Sequence, residues 1–145
     1  MRRIAVRRSS VHGRGVFALC DIEAGQRIIE YKGRVTSWRS AIARHQKLAG
    51  EDGHTFFFEL TDGGVIDGGA DGNSARWINH ACSPNCLAEE DSGRVFIVAC
   101  RAIRAGDEIS IDYQLSVDGR RTAAVRAAYA CRCRSPGCRG TMLAR

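Results

Sequence analysis

The feature of this chain that most restricts its fold is a group of three cysteines near the C-terminal end. Cys131, Cys133 and Cys138 fall within eight residues of a polar, glycine-containing stretch. Zinc prefers four thiolate ligands in a tetrahedron, so three neighbouring cysteines need a fourth ligand from elsewhere in the chain. Cys82 and Cys86 are the candidates for that ligand. The sequence therefore predicts a zinc site that ties the C-terminal segment to a distant part of the fold.

The cysteine count and the first residues of the chain bear on its compartment. The chain has seven cysteines, an odd number, and its first residues carry arginine charge with no apolar stretch behind them. We therefore expect no signal peptide and a reducing compartment, which is the cytoplasm of a bacterium or else a nucleus or chromosome. Cys20 and Cys100 lie in apolar, strand-like segments and are expected to be buried core thiols. No apolar run reaches the roughly 18 residues that a membrane span needs, so no membrane association is expected.

Most of the chain consists of short segments separated by turns, and its 145 residues suffice for one compact domain. Segments rich in β-branched and aromatic residues, bounded by Gly, Asp or Asn, predict strands. They cover residues 4–7, 15–19, 27–31, 56–60, 65–67, 95–99 and 108–111. This pattern predicts a mostly β domain built of several small sheets.

One helix is clearly predicted. Ser37 can cap its first turn, Trp38, Ile42 and His45 fall on one face, and Gly50 can end it. A second short helix is predicted over residues 121–130.

Three further motifs carry side chains of the kind that ligand sites use. Asn79 and His80 follow an apolar Trp-Ile pair, and such side chains must satisfy their hydrogen-bonding groups if they are buried. Tyr113 follows a predicted strand, from which its hydroxyl can reach a cleft. Glycines on both sides of Arg14 allow a ligand to approach the backbone closely. Each motif, taken alone, is more often structural than functional.

The order of these motifs along the chain resembles the SET domain followed by its post-SET zinc segment, in a minimal form similar to bacterial members and to the cores of chromatin enzymes. The pieces that carry the resemblance are HGRGVF at 12–17, IEYKG at 29–33, Asp67, GN at 72–73, RWINHACSPNC at 76–86, GDEISIDY at 106–113 and the three C-terminal cysteines. The resemblance implies a SET fold of small sheets around a pseudoknot, in which residues 109–113 thread under the loop that carries Asn79 and His80. It places the SET domain at 1–116 and the post-SET zinc segment at 117–145.

The resemblance also implies a protein-lysine N-methyltransferase that uses S-adenosylmethionine and zinc. Tyr113 and Tyr31 would be the catalytic residues. The residues implied to bind the cofactor are His12, Gly13, Arg14, Gly15, Asn79, His80 and Arg132, with Met142 or Leu143 covering the adenine. Cys82 would join Cys131, Cys133 and Cys138 on the zinc.

Two positions of the implied lysine channel depart from the family pattern. Phe56 stands where the family often has Tyr, and Ile111 stands where it commonly has Phe or Tyr. Fewer hydroxyls leave more room around the amine, so we expect that more than one methyl group can be added to a lysine.

The implied substrate is a histone or a histone-like basic protein, and nucleic acid would be met only through a nucleoprotein substrate. Acidic residues lie near the expected rim of the channel, namely Glu51, Asp52, Glu59 and Asp62. The net charge is +6, but the arginines are scattered and do not predict a nucleic-acid reader. Two alternatives remain at this point: a catalytically weak SET-like module that binds basic tails, and a zinc-stabilised nucleic-acid-binding protein. The sequence predicts no oligomeric state.

Overall fold

The computed structural model describes residues 2–11, 13–47, 57–113, 123, 130–133 and 135–142. The elements with described bounds are the strands β1 (Ile4–Arg8), β2 (Arg14–Ala18), β3 (Arg27–Tyr31) and β4 (Arg34–Thr36), the helix α1 (Trp38–Lys47), and the strands β5 (Phe57–Glu59), β6 (Val65–Asp67), β7 (Asn79–His80), β8 (Cys86–Asp91), β9 (Arg94–Ala99) and β10 (Glu108–Ile111), with a 3₁₀ turn at Ser74–Trp77. Within the described residues no helix has the length and apolar character that crossing a bilayer requires.

The strands form three small sheets, which confirms the predicted mostly β class. Their orders are β1-β2-β10-β7, β3-β9-β8 and β4-β6-β5. Strands β4, β7 and β8 are not predicted by the sequence. The sequence does not predict β8 because the second half of this strand is acidic, and acidic residues are uncommon in strands. Its pairing with β9 is nevertheless continuous from Cys86 to Asp91.

A core of aliphatic side chains lies beneath these sheets. Val16, Val95, Ile97 and Ile109 are completely buried, and burial of each such side chain stabilises the fold by roughly 1.5–3 kcal/mol. Ile78, which directly precedes β7, and Ile111 at the end of β10 belong to the same cluster. The core therefore fixes the backbone from which the polar motifs project.

The helix begins as predicted, and the face that carries Trp38 and Ile42 is not the one that it buries. Oγ of Ser37 accepts the backbone N–H of Ser40 at 3.2 Å, which is the expected N-cap. Trp38 and Ile42 are 38% and 45% exposed, whereas Ala41 is buried. The described helix contacts β6 with the side that carries Ala41 and Arg44, and Arg44 pairs with the buried carboxylate of Asp67. The side chain of His45 and the predicted end at Gly50 lie outside the described residues, as does most of the second predicted helix.

The expectation that Cys20 and Cys100 are core thiols is wrong. Cys100 is exposed and Cys20 is half-buried, because β2 ends at Ala18 and β9 at Ala99, one or two residues before each cysteine. The buried core thiol is Cys86.

Strand β10 is held on both of its edges. It pairs antiparallel with β2 and parallel with β7, where Ser110 faces Asn79 and Ile111 faces His80. The side chain of Asn85 extends this pairing: its Nδ2 donates to the carbonyl of Glu108 at 2.9 Å, and its Oδ1 accepts the N–H of Ser110 at 2.9 Å. The end of β10 thus lies against the 79–85 segment, as expected of the threaded arrangement.

Candidate active site and metal centre

Four cysteines converge where the C-terminal segment meets the loop after β7. The Sγ atoms of Cys82, Cys131, Cys133 and Cys138 all lie within 4.8 Å of one another. Cys82 Sγ is 3.7 Å from that of Cys131 and 3.9 Å from that of Cys138. A tetrahedral zinc site with Zn–S bonds of ~2.3 Å has sulfur–sulfur edges of about 3.8 Å, so the spacing fits zinc. Of the two candidate fourth ligands, the structure selects Cys82 and leaves Cys86 in the core.

Each of the four sulfurs accepts a backbone N–H. The donors to Cys82 and Cys138 are the amides of Arg139 at 3.3 Å and Gly140 at 3.4 Å. The Cys133 amide donates to Cys131 at 3.4 Å, and the Cys82 amide donates to Cys133 at 3.5 Å. Hydrogen bonds of this kind stabilise thiolate over thiol and orient the ligands of a metal. The donor set and its surroundings therefore suit a thiolate-bound divalent cation.

Burial acts against charge in this cluster unless a cation is bound. It raises the pKa of the Cys82 and Cys131 thiols. At Cys133 the same effect is outweighed by hydrogen bonds from the Cys82 amide and from Ser135, which lower the pKa to about 6. Because a metal binds thiolates, loading of the site and loss of the remaining thiol protons are coupled.

An ion pair also attaches the cysteine-rich segment to the end of β10. The guanidinium of Arg139 contacts Asp112 with both terminal nitrogens, Nη1 to Oδ2 at 2.8 Å and Nη2 to Oδ1 at 3.0 Å. The two side chains are 12% and 21% exposed, so solvent screens the pair only partly. A bridge between Ala130 and Thr141 closes the segment on itself and leaves Met142 buried.

Tyr113 lies directly beside His80. The two rings meet edge to face with centroids 5.3 Å apart. The Tyr113 hydroxyl donates a hydrogen bond to the carbonyl oxygen of Ile78, which fixes the direction of the phenol. Burial, aided by the charge of Glu108, raises the pKa of Tyr113 well above its ordinary range. The hydroxyl therefore stays neutral at physiological pH.

A cleft of about 520 Å³ opens on one side of Tyr113. Its walls are mostly aromatic and aliphatic, with Tyr31, Phe57, Phe58, Ile78, Ile111 and Tyr113 among the lining residues. Tyr31 is 5% exposed and packs against Phe58 with ring centroids 5.4 Å apart. Burial and the neighbouring Tyr113 raise the pKa of Tyr31. The cleft is thus lined mainly by aromatic and aliphatic residues and carries two neutral hydroxyl groups.

A second, small cavity of about 30 Å³ also has Tyr113 in its wall. It is lined by Val11, Asn79, His80, Tyr113, Ala130, Arg132 and Met142. Another, more open recess of about 700 Å³ is lined by Val6, Arg7, Arg8, Gly13, Arg14 and Trp77. The residues implied to bind the cofactor thus face these two spaces, apart from Gly15, which contacts neither, and His12, which lies outside the described residues. Phe56 and Leu143 also lie outside them.

Glu108 is a site residue that the sequence analysis missed. Its carboxylate accepts hydrogen bonds from Asn79 Nδ2 at 2.8 Å and from the hydroxyl of Ser9 at 2.7 Å. Asn79 Nδ2 also donates to the Arg14 carbonyl at 2.9 Å, so one amide joins β2, β7 and β10. A Cβ at Gly15 would lie 2.3 Å from Glu108 Oε2, so any other residue at this position would displace the Glu108 carboxylate. The one signal available in the sequence was that an acidic residue, Glu108, stands at the start of a predicted strand whose other residues are mostly apolar.

The structure describes two of the four acidic residues expected at the rim of the channel, and the two differ in whether they reach the cleft. Glu59 lines the cleft. Asp62 is not among the lining residues and instead accepts the backbone N–H of Gly64 at 2.8 Å. Glu51 and Asp52 lie outside the described residues.

Comparisons of the sequence with known proteins all lead to one family. Residues 13–114 match the family model described as the SET domain. The chain is 34% identical over 146 residues to the histone-lysine N-methyltransferase set1 of Dictyostelium discoideum, which covers 97% of this chain and 9% of that protein. It is 35% identical over 119 residues to the histone-lysine N-methyltransferase 2B of Homo sapiens, covering 79% of this chain and 4% of that protein. For the H3 lysine-4 specific histone-lysine N-methyltransferase of Candida albicans the identity is 36% over 140 residues, covering 92% of this chain and 13% of that protein. The chain therefore spans only a small part of the length of these relatives.

Proposed function

The chain belongs to the SET-domain family, and from this premise we propose that it transfers a methyl group from S-adenosylmethionine to the ε-amine of a lysine in a histone or histone-like basic protein. The observation that carries the proposal is the position of Tyr113. Its ring forms part of the wall of both the aromatic cleft and the small cavity beside His80. A lysine entering through the cleft and a methyl donor held on the other side would meet at this residue.

The small cavity, at about 30 Å³, would take only one part of S-adenosylmethionine, and the rest of the cofactor would lie in the more open recess of about 700 Å³ beside Gly13 and Arg14. Val11 and Met142 offer apolar surface to a purine, and His80 and Arg132 offer polar groups beside it. When bound, the cofactor supplies a methyl group on a positively charged sulfonium. The remaining work, which is positioning and exclusion of water, belongs to the side chains of this chain.

The cleft favours the neutral form of the lysine that attack requires. Its aromatic and aliphatic lining desolvates an ammonium group, and desolvation lowers the pKa of an amine. The Tyr113 hydroxyl uses its proton on the Ile78 carbonyl, so its oxygen lone pairs remain to accept a hydrogen bond from the amine or a weak one from the methyl group. Tyr31 lines the same channel and confines the approach of the lysine.

We assign zinc to the four-cysteine cluster, with Cys82 from the SET domain (1–116) and three ligands from the post-SET segment (117–145). A bound zinc would cross-link the two parts of the chain that wall the small cavity, since Arg132 lies between two of the C-terminal ligands and Met142 follows the third by four residues. Metal binding would thus order the cofactor side of the site.

More than one methyl group should be accepted by a single lysine. Ile111 is buried and lines the cleft without a hydroxyl that would hold a water or restrict rotation of a methylated amine. Mass spectrometry of the product at exhaustive turnover should show dimethyl-lysine or trimethyl-lysine. A product that stays monomethylated would contradict this part of the proposal.

The experiment that tests the proposed function is transfer of isotopically labelled methyl from S-adenosylmethionine to core histones and bacterial DNA-packaging proteins. We expect label on a lysine of at least one of them, mapped by mass spectrometry. Histones whose lysines are chemically dimethylated beforehand serve as the control and should accept far less label. Binding of histones without any transfer would contradict the proposal and favour a catalytically weak module that binds basic tails. The proposed substrates place the activity at a chromosome or another nucleoprotein.

A further inference from the structure

The charged groups that line the cleft differ in whether they already have partners. Three lining residues are charged: Glu59, Arg76 and Asp112. Asp112 is bound by both terminal nitrogens of Arg139, and the Arg76 guanidinium lies over the Trp77 ring, 4.8 Å from its centroid. Glu59 is exposed, and within the described part of the chain no hydrogen bond or ion pair involves its side chain.

The neighbouring acidic residues, in contrast, are engaged. Glu89 and Asp91 both lie within ion-pair distance of Arg27, at 3.8 and 3.0 Å. Glu90 accepts the backbone N–H of Thr61 at 2.9 Å and its hydroxyl at 2.7 Å. Glu59 is therefore the carboxylate of this surface that is left to interact with a bound chain.

We propose that Glu59 is a specificity-determining residue that selects substrates with an Lys or Arg side chain close to the target lysine. The inference rests on the proposed function and adds to it the class of neighbouring residue. Glu59 follows Phe57 and Phe58 on β5, and it both lines the cleft and is exposed to solvent, so its carboxylate is accessible to a chain bound in the cleft. When the target lysine occupies the cleft, a neighbouring Lys or Arg of the substrate would pair with the Glu59 carboxylate. An acidic side chain in the same position would be repelled by Glu59.

The preference that Glu59 gives to substrates should be small, because its side chain is exposed to solvent. Ion pairs between exposed groups alter affinity by about two- to fivefold, and salt weakens them. The preference should therefore appear in KM and leave kcat nearly unchanged, and it should shrink as ionic strength rises. A purely structural role for Glu59 would not produce a preference that depends on substrate charge.

The test uses the protein substrate and the lysine identified by label transfer. We expect Lys or Arg within about three residues of that lysine, which is ~10 Å of extended chain. Changing this basic residue to Gln in the substrate should raise KM about two- to fivefold for the wild-type enzyme, and for Glu59→Gln the same change should have no effect. Glu59→Arg should reverse the preference, favouring a substrate with Glu at that position. Glu89→Gln removes an exposed carboxylate that does not line the cleft and should behave as the wild type.

Two results would overturn the inference while leaving the proposed function intact. One is a mapped lysine without a basic neighbour, and the other is a preference for basic neighbours that persists in Glu59→Gln. Failure of every protein to accept label would instead refute the proposed function, and this inference with it.

Discussion

The backbone N–H of Tyr113 donates a hydrogen bond to Nδ1 of His80, with 3.0 Å between the two nitrogens. A nitrogen that accepts a hydrogen bond carries no proton, so the neutral ring bears its proton on Nε2, which lies 3.5 Å from Cys82 Sγ. Burial lowers the pKa of His80, outweighing the nearby Asp112, and so keeps the ring neutral at pH 7. One imidazole thus connects a cysteine of the proposed metal site with the tyrosine between the two cavities.

The first prediction concerns removal of the metal. Cys82→Ser should lower zinc affinity by more than roughly 100-fold. Losing a residue that only hydrogen-bonds to a metal ligand typically lowers affinity by about 10- to 100-fold, and Cys82 is itself a proposed ligand. It should also weaken S-adenosylmethionine binding, since Arg132 and Met142 line the small cavity and flank the other ligands. Zinc content and cofactor affinity by calorimetry check both effects. Cys100→Ser, which changes an exposed cysteine outside the cluster, is the control, and equal zinc in the two variants would contradict the assignment.

The second prediction compares two ion pairs of different burial. Asp112→Asn and Arg139→Met, each alone and then combined, should give a coupling energy of about 1–3 kcal/mol in urea unfolding, because the pair is bidentate and largely buried. The pair of Arg27 with Asp91 has side chains 46% and 54% exposed and should couple by less than about 1 kcal/mol. Similar coupling energies for the two pairs would show that Arg139 does not hold the C-terminal segment.

The third prediction concerns the close approach at Gly15. Gly15→Ala should destabilise the protein by about 1–3 kcal/mol, because the new methyl group displaces the Glu108 carboxylate and with it the bond to Asn79. In a Glu108→Ala background the same change should cost clearly less, since the clashing oxygens are gone. Thermal unfolding of the four proteins measures this. An equal loss of stability on Gly15→Ala in both backgrounds would show that the new methyl group does not clash with Glu108.

The fourth prediction concerns alkaline pH. The pKa of both Tyr31 and Tyr113 is raised in the folded protein above the value of about 10 for a free tyrosine. Below pH ~10 both hydroxyls are protonated whether the chain is folded or unfolded, so they do not make the free energy of unfolding depend on pH in that range. Above that pH the unfolded chain loses these protons first, and stability should fall. The free energy of unfolding measured from pH 8 to 11 should decline less steeply for Tyr113→Phe, and identical slopes would contradict the assigned burial.

The sequence predicted those parts of the site that depend on local spacing. Three closely spaced cysteines indicate a metal whatever the fold, but the choice between Cys82 and Cys86 depends on tertiary structure. Cys82 lies in the loop after β7, whereas Cys86 begins β8 and is buried in the core. Local pattern could not distinguish these two environments, and only the resemblance to a known family favoured Cys82.

Long-range contacts explain what local pattern missed. Glu108 belongs to the site because Ser9, 99 residues away, and Asn79, 29 residues away, both bond to its carboxylate. The buried side of α1 likewise depends on β6, whose Asp67 draws Arg44 inward and leaves the larger Trp38 outside. Periodicity describes the helix, but it does not identify the surface on which the helix packs.

The most direct test of the account is the effect of Tyr113→Phe on methyl transfer. The account predicts that kcat falls by roughly 100-fold or more, as when one positioned hydroxyl at a reacting centre is removed. Zinc content and S-adenosylmethionine affinity should stay close to wild type, because the phenyl ring remains in the walls of the cleft and of the small cavity. A kcat within about twofold of wild type would contradict the claim that the Tyr113 hydroxyl orients the reacting groups.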